Sequence, residues 1–268
     1  MARNNTVITA GMTALVTGAS SGIGEHFARQ LAGRSVHLVL VARNRQRLED
    51  LALELRAGHE GLSVTVITAD LSTAHGVDDL VDELSSAGVT VDVLVNNAGV
   101  GSHDRFIDQD LSALAAEIQL NCTSLVALTG RLLPGMVDRH RGGVINVAST
   151  AGFQPVPTMA VYAASKAFVL SFSEALWAET AGSGLRVLAL CPGPTETRFF
   201  ATAGPGKQFL TRGRQTAAHV AGVALASFDS RRSPSVIPGA TNRLMASGYR
   251  LMPRATMARM AGRSVRTS

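Results

Sequence analysis

The strongest constraint in this sequence is an alternation. Short continuous runs of β-branched and aliphatic residues are separated by amphipathic stretches along roughly the first 190 positions. The strand candidates are Thr13–Thr17, Val36–Ala42, Ser63–Thr68, Val91–Asn96, Gly143–Val147 and Arg186–Leu190. They lack the polar–apolar alternation of a half-exposed sheet, so both faces of each strand are expected to be covered. Helical periodicity runs over Gly22–Ala32, Arg45–Ala57, Ala74–Ser86, Leu111–Arg139 and Met159–Ala181, with Ser72 the expected N-cap of the third. Strand–helix alternation with right-handed crossovers predicts an α/β chain, a doubly wound parallel sheet with helices on both faces. Ligands of such sheets lie beyond the carboxyl ends of the strands, so strand-end residues carry the functional reading.

Hydrophobic residues make up 46% of the 268, enough for one core, and no linker or repeat divides the chain. We expect a single folded domain over residues 1–240 and a basic amphipathic extension over 241–268, packed on or beside it. No run approaches the roughly 20 uncharged apolar residues of a membrane span. The N-terminal residues lack the apolar core of a signal peptide. Cys122 and Cys191 are far apart in sequence, without metal-ligand or disulfide-framework spacing, so no metal site is expected and a reducing cytoplasm is the expected compartment. The formal charge of +5 hides an asymmetry: residues 1–198 hold 14 Lys/Arg against 19 Asp/Glu, residues 199–268 hold 11 against one. That tail lacks a helix-turn-helix or aromatic-rich RNA motif, which argues against a nucleic-acid partner.

The first strand runs into Thr17-Gly18-Ala19-Ser20-Ser21-Gly22-Ile23-Gly24 and then a helix. Glycines at 18, 22 and 24 permit a tight turn and close approach of a pyrophosphate, and the helix N-terminus offers free N–H donors and partial positive charge. The spacing is neither Walker A nor G-x-G-x-x-G. An acid after the second strand would hold the adenosine ribose of NAD; here that strand ends in Arg43-Asn44-Arg45-Gln46-Arg47, and the first acid is Glu49. Cations in a first helical turn oppose the helix dipole by about 0.3–1 kcal/mol each, and a bound 2′-phosphate would turn that repulsion into charge-assisted hydrogen bonds. NADP(H) is therefore favoured over NAD(H), with Arg43 the chief phosphate ligand. Asp70 and Leu71, ending the third strand, are placed to meet the adenine.

Tyr162 and Lys166 share a helix face at i, i+4. An ammonium beside a phenol is expected to lower the phenol's pKa, and three units of lowering need about 4 kcal/mol. A phenol so tuned exchanges protons with a carbonyl or alcohol near neutral pH. The chain has two Tyr and two Lys but 23 Arg, so a chance pairing of these types is rare. Ser149, at the end of the fifth strand, can bond the substrate oxygen; Asn121, in the preceding long helix, could hold a water or relay a proton with Lys166. Each alone reads as an ordinary polar residue; their value lies in joint occurrence.

With these residues in order, the chain resembles the short-chain dehydrogenase/reductase family over about residues 11–240. The glycine motif matches Thr17 to Gly24, the Asn-Asn-Ala-Gly segment matches Asn96-Asn97-Ala98-Gly99, and the Pro-Gly turn matches Pro192-Gly193, with Thr195 following. The resemblance implies a Rossmann-type fold and a catalytic tetrad of Asn121, Ser149, Tyr162 and Lys166. It also implies a cofactor site built from Gly18, Ser20, Ser21, Gly22, Ile23, Gly24, Arg43, Asn44, Asp70, Leu71, Asn97, Ala98, Gly99, Tyr162, Lys166, Pro192, Gly193 and Thr195. Arg43 looks like the NADP-preferring type, although Ser20 and Ser21 stand where some NADP-dependent members carry a basic residue. The expected partner is a small hydrophobic ketone or alcohol, and a homodimer or homotetramer is the family's usual assembly.

The segment after Thr195 carries Phe199-Phe200, Phe209 and a Gly-Pro-Gly turn, and reads as a lid. Beyond it, helices are expected over Thr216–Ser227 and Asn242–Met252, with a short strand at Ser235–Ile237 between them. Pro253 then opens an Arg-rich helix. This tail is open to three readings: peripheral contact with an anionic membrane, a cover over a long acyl substrate, or a surface or oligomer contact. It is similar to the tails of reductases acting on acyl ketones in lipid synthesis. The alternative to an enzyme is a non-catalytic dinucleotide-binding or membrane-associated adaptor.

Overall fold

The computed structural model describes residues 6–34, 36–197, 214–230, 233–248 and 253–266. The elements run β1 (Thr13–Thr17), α1 (Gly22–Ala32), β2 (His37–Ala42), α2 (Arg45–Gly58), β3 (Val64–Thr68), α3 (Gly76–Ser86) and β4 (Val93–Asn96). Then follow α4 (Leu111–Ile118), α5 (Ser124–Asp138), β5 (Gly143–Val147), α6 (Ala160–Glu179) and β6 (Arg186–Leu190). The last part holds β7 (Thr195–Glu196), β8 (Gln215–Thr216), α7 (Ala217–Ser230), β9 (Ser235–Val236), α8 (Ala240–Gly248) and α9 (Arg254–Arg266). Seven strands form one sheet in the order β3-β2-β1-β4-β5-β6-β9, all pairs parallel. The strand order reverses between β1 and β4, which opens a crevice at their carboxyl ends.

Strand residues alternate between two cores, which is why the runs read as continuously apolar. Ala14, Val16, Leu38, Leu40, Val93 and Val95 pack with Phe27 and Leu31 of α1, Leu48 of α2 and Phe228 of α7. Leu15, Val39, Val41 and Leu94 face the other way, against Leu80 and Leu84 of α3 and Leu128 and Met136 of α5. The expected doubly wound parallel architecture is present, as one domain.

Three local expectations are corrected. Ser72 does not cap α3, which begins at Gly76 after His75; its N–H (3.0 Å) and hydroxyl (2.6 Å) instead donate to Asp70. Gly76, the first residue of the helix, has to be bare, because a Cβ there would lie 2.0 Å from the Asp70 carbonyl oxygen. The expected single helix Leu111–Arg139 is interrupted by a π turn, Gln119–Thr123, in which the Ser124 N–H reaches back to the Gln119 carbonyl. The whole stretch Leu111–Asp138 is long and apolar enough by composition to cross a membrane, yet it packs its Leu128 and Met136 on the sheet. The short parallel pair β7–β8 was not foreseen. Of the expected lid, Phe199, Phe200 and Phe209 lie outside the described residues, as do Leu251 and Met252 of the tail.

Candidate active site

The glycine turn is shaped first by its neighbour, the Asn-Asn-Ala-Gly segment after β4. Asn97 Nδ2 donates to the carbonyls of Thr17 (2.9 Å) and Gly18 (3.3 Å), while Thr17 Oγ1 accepts from the N–H groups of Asn97 and Ala98. This clamp requires bare backbone: a Cβ on Gly24 would lie 2.4 Å from Asn97 Nδ2, and Gly18 sits at φ +65°. Gly24, expected among the cofactor contacts, packs under the turn and does not line the cavity. Above the clamp, Ser21 precedes α1 without a side-chain cap bond, so the first-turn N–H groups are left to bind an anion.

Every other cofactor candidate lines one cavity of about 660 Å³. At its outer end stand Arg43, Asn44 and Arg47, all exposed. Asn44 caps α2, accepting from the Arg47 N–H at 3.0 Å, and Arg45 turns away to pair with Glu49 at 3.0 Å. Arg47, one turn into the helix, is thus a second cation on the cavity that the strand-end reading did not single out. Asp70 is held below the ordinary carboxylate range by its Ser72 hydrogen bonds, with Arg43 adding to the effect.

At the inner end, β5 and α6 bring the reactive groups together. Ser149 ends the strand extension, accepts from the Ala151 N–H at 3.1 Å and hydrogen-bonds the Tyr162 hydroxyl. Lys166 is buried, its Nζ donating to the Val147 carbonyl at 2.8 Å and lying 5.8 Å from the Tyr162 ring centroid. Desolvation pushes the Tyr162 phenol up to about 12, against the Ser149 hydrogen bond, and pulls the Lys166 ammonium down to about 8. The lowering was expected from a close cation together with an oxidised nicotinamide; beside Lys166 alone, burial keeps the phenol above its ordinary value. At neutral pH the phenol keeps its proton, the state required of an acid toward a carbonyl.

Asn121 lies in the π turn, away from the cavity wall. Its Oδ1 accepts from the Val100 N–H (3.0 Å), and its Nδ2 donates to the Val100 carbonyl (2.8 Å) and Ser165 Oγ (3.1 Å). Its amide thereby holds the loop that follows Gly99, and its Oδ1 lies with Lys166 Nζ against Gly99. A π turn widens the helix locally and is a frequent device at functional sites. The sequence reading missed it because helical periodicity does not register one extra residue.

The remaining wall was also missed. Val100, Val156, Met159, Pro194, Met245 and Ala246 make the inner half apolar, with Gln154 and Asn242 as its polar points. Thr158 sits in this region at φ +68°, a costly conformation for a β-branched residue, about 1–3 kcal/mol. It is held by the Asp104 N–H donating to its carbonyl (2.9 Å) and by a bond between its Oγ1 and His103 Nε2 (3.1 Å), which join the two loops flanking the pocket. Helix α8 docks through Asn242 on Gly193, where a Cβ would lie 2.4 Å from the Asn242 side chain. Only chain tracing reveals that a helix some 50 residues after the Pro-Gly turn closes this wall.

A switch-point crevice, an anion-ready glycine turn and a Tyr–Lys–Ser centre together define a nicotinamide-dinucleotide-dependent oxidoreductase. The family model of short chain dehydrogenases matches residues 12–208, and the chain belongs to that family. A short-chain dehydrogenase from Sphingobium yanoikuyae in complex with NADPH is 34% identical, with a TM-score of 0.80 over 90% of this chain and 94% of that one. A Burkholderia phymatum member in complex with NAD is 26% identical, with a TM-score of 0.79 over 90% of this chain and 93% of that one. A very-long-chain 3-oxoacyl-CoA reductase of Anas platyrhynchos is 36% identical over 68% of this chain, which spans 59% of that relative.

Proposed function

We propose that this protein is an NADP(H)-preferring reductase of a hydrophobic ketone, with acyl-chain ketones the leading substrate class. The observation that carries the reading is the cavity itself: a Ser149–Tyr162 pair at the inner end, an apolar wall beside it and two arginines at the far end. The likeness to an NADPH complex and to a 3-oxoacyl-CoA reductase supports it.

When bound, the nicotinamide supplies the hydride. Ser149 polarises the carbonyl oxygen, and Tyr162 passes it a proton. The resulting phenolate is stabilised by the ammonium of Lys166, which the Val147 carbonyl orients. Asn121 acts by fixing Val100 against the cavity, and Asn97 by fixing the glycine turn. Arg43, joined by Arg47, holds the 2′-phosphate, whose planar, bidentate recognition suits guanidinium.

Helix α8 supports the cover reading of the tail, because Met245 and Ala246 line the substrate half. Met245 and Leu244 are also exposed beside Arg243, so peripheral contact with an anionic membrane at the cavity mouth is part of the proposal, within an otherwise cytoplasmic setting. Exposed Leu111 and Ile118 on α4 and Phe168 and Trp177 on α6 favour a homo-oligomer over a monomer.

The test is a panel of ketones and secondary alcohols, acyl ketones included, followed by NADPH absorbance. Turnover of bulky apolar ketones, with small polar ones excluded, is the expected result. Turnover confined to small polar substrates, or none with any carbonyl or alcohol, would overturn the reading.

A further inference from the structure

Beside the site lies an ionisable group that the mechanism does not use. Glu117 is 1% exposed, on α4, one helical turn before Asn121, and it does not line the cavity. Its Oε2 accepts both the N–H (3.0 Å) and the hydroxyl (2.6 Å) of Ser102. Its Oε1 is buried and has no hydrogen-bond partner among the described residues. A carboxylate so deeply desolvated is expensive, and a hydrophobic side chain would fill the same volume at less cost. Geometry brings it near the lysine: Asn121, one turn on, donates at 3.1 Å to Oγ of Ser165, the residue before Lys166, and Asn121 Oδ1 and Lys166 Nζ both crowd Gly99. The titratable groups that face this region are Lys166 and Tyr162 of α6, Cys122 of the π turn and Cys191 after β6.

We propose that Glu117 is a positioning residue of the proton-transfer centre: a buried negative charge that keeps Lys166 in its ammonium form while tying Ser102 to α4. Asn121 and Glu117, four residues apart on one helical face, then divide the work. The amide fixes Val100, and the carboxylate fixes Ser102 and balances the lysine. The electrostatic directions agree: the Glu117 charge raises the Lys166 pKa, and Lys166 in turn opposes the burial that raises Glu117. This inference rests on the reductase reading for its kinetic consequence, but its charge coupling is measurable without turnover.

The chain makes that measurement simple, because its lysines are Lys166 and Lys207 alone. In protein labelled with 13C at lysine Cε, Lys207→Arg leaves the Lys166 signal by itself. Glu117→Gln keeps the volume and the acceptor for Ser102 and removes the charge. The Lys166 titration midpoint is expected to fall by about one pH unit, the order of a single charge interaction in a partly polar interior. The alkaline limb of kcat for ketone reduction is expected to fall with it, while KM stays within about twofold. Ser102→Ala, which removes one donor from the same carboxylate, shifts the midpoint in the same direction by less. A midpoint unmoved in both variants, or a raised KM with the alkaline limb in place, overturns the proposal and leaves Glu117 a loop anchor. A shifted midpoint in a protein that reduces no ketone would instead refute the functional reading and keep the coupling.

Discussion

At the Tyr162 end of the cavity Lys166 is buried and bonded to a backbone carbonyl, Tyr162 beside it is half-buried and hydrogen-bonded to Ser149, and both are displaced from their ordinary titration ranges. At the Arg43 end they are exposed side chains at a helix start, facing water. The first arrangement holds protons at definite positions with little freedom to adjust. The second presents two long cations to solvent and is open to screening by salt. The difference teaches which residues can be exchanged. On the proposed reading, substitutions of the outer arginines change cofactor choice by degrees, whereas substitutions at the inner end stop turnover.

The largest expected effect lies at the inner end. Tyr162→Phe removes the hydroxyl proposed to protonate the substrate and is expected to cut kcat by about 10²–10⁴-fold. Fluorescence titration should show dinucleotide binding unchanged within about twofold; full activity in this variant would erase the contrast between the two ends. At the outer end, Arg43→Asp is expected to raise the KM for NADPH by about 10–100-fold, the worth of one or two charge-assisted bonds, with little change for NADH. Raising salt should weaken NADPH binding in the parent protein and much less in this variant. Equal effects on both cofactors would remove the phosphate from Arg43. The smallest effect is in pH. Lys166, pulled down to about 8, is protonated below that value and loses its proton above it. Ketone reduction should therefore hold steady through neutral pH and fall by about tenfold per unit above 8, as the ammonium that stabilises the phenolate is lost. A reduction rate unchanged well above that pH would contradict this role of Lys166.

Much of the fold was legible because apolar runs covered on both faces have one economical arrangement, and β1, β5, β6 and α1 begin and end where their residues predict. The nearness of Tyr162 to Lys166 and the place of Arg43 at the cavity were legible because spacing along a helix and position at a strand end are local properties. Ser72 was misread because a cap preference cannot see that the Asp70 carboxylate, two residues before it, takes the Ser72 N–H and hydroxyl. Arg47 was underweighted because a second cation becomes visible only when the α2 start is placed against the cavity.

What the sequence determined by itself is the parallel sheet, the glycine turn and the identity of the Tyr162–Lys166 centre, all consequences of periodicity and short-range spacing. Tertiary structure decided the rest. It placed Met245 and Ala246 on the cavity wall, broke the long helix at Asn121, and buried Glu117 one turn before it. It also set the titration of Tyr162 and Lys166, since desolvation depends on everything packed around a group and not on the residues beside it in the chain.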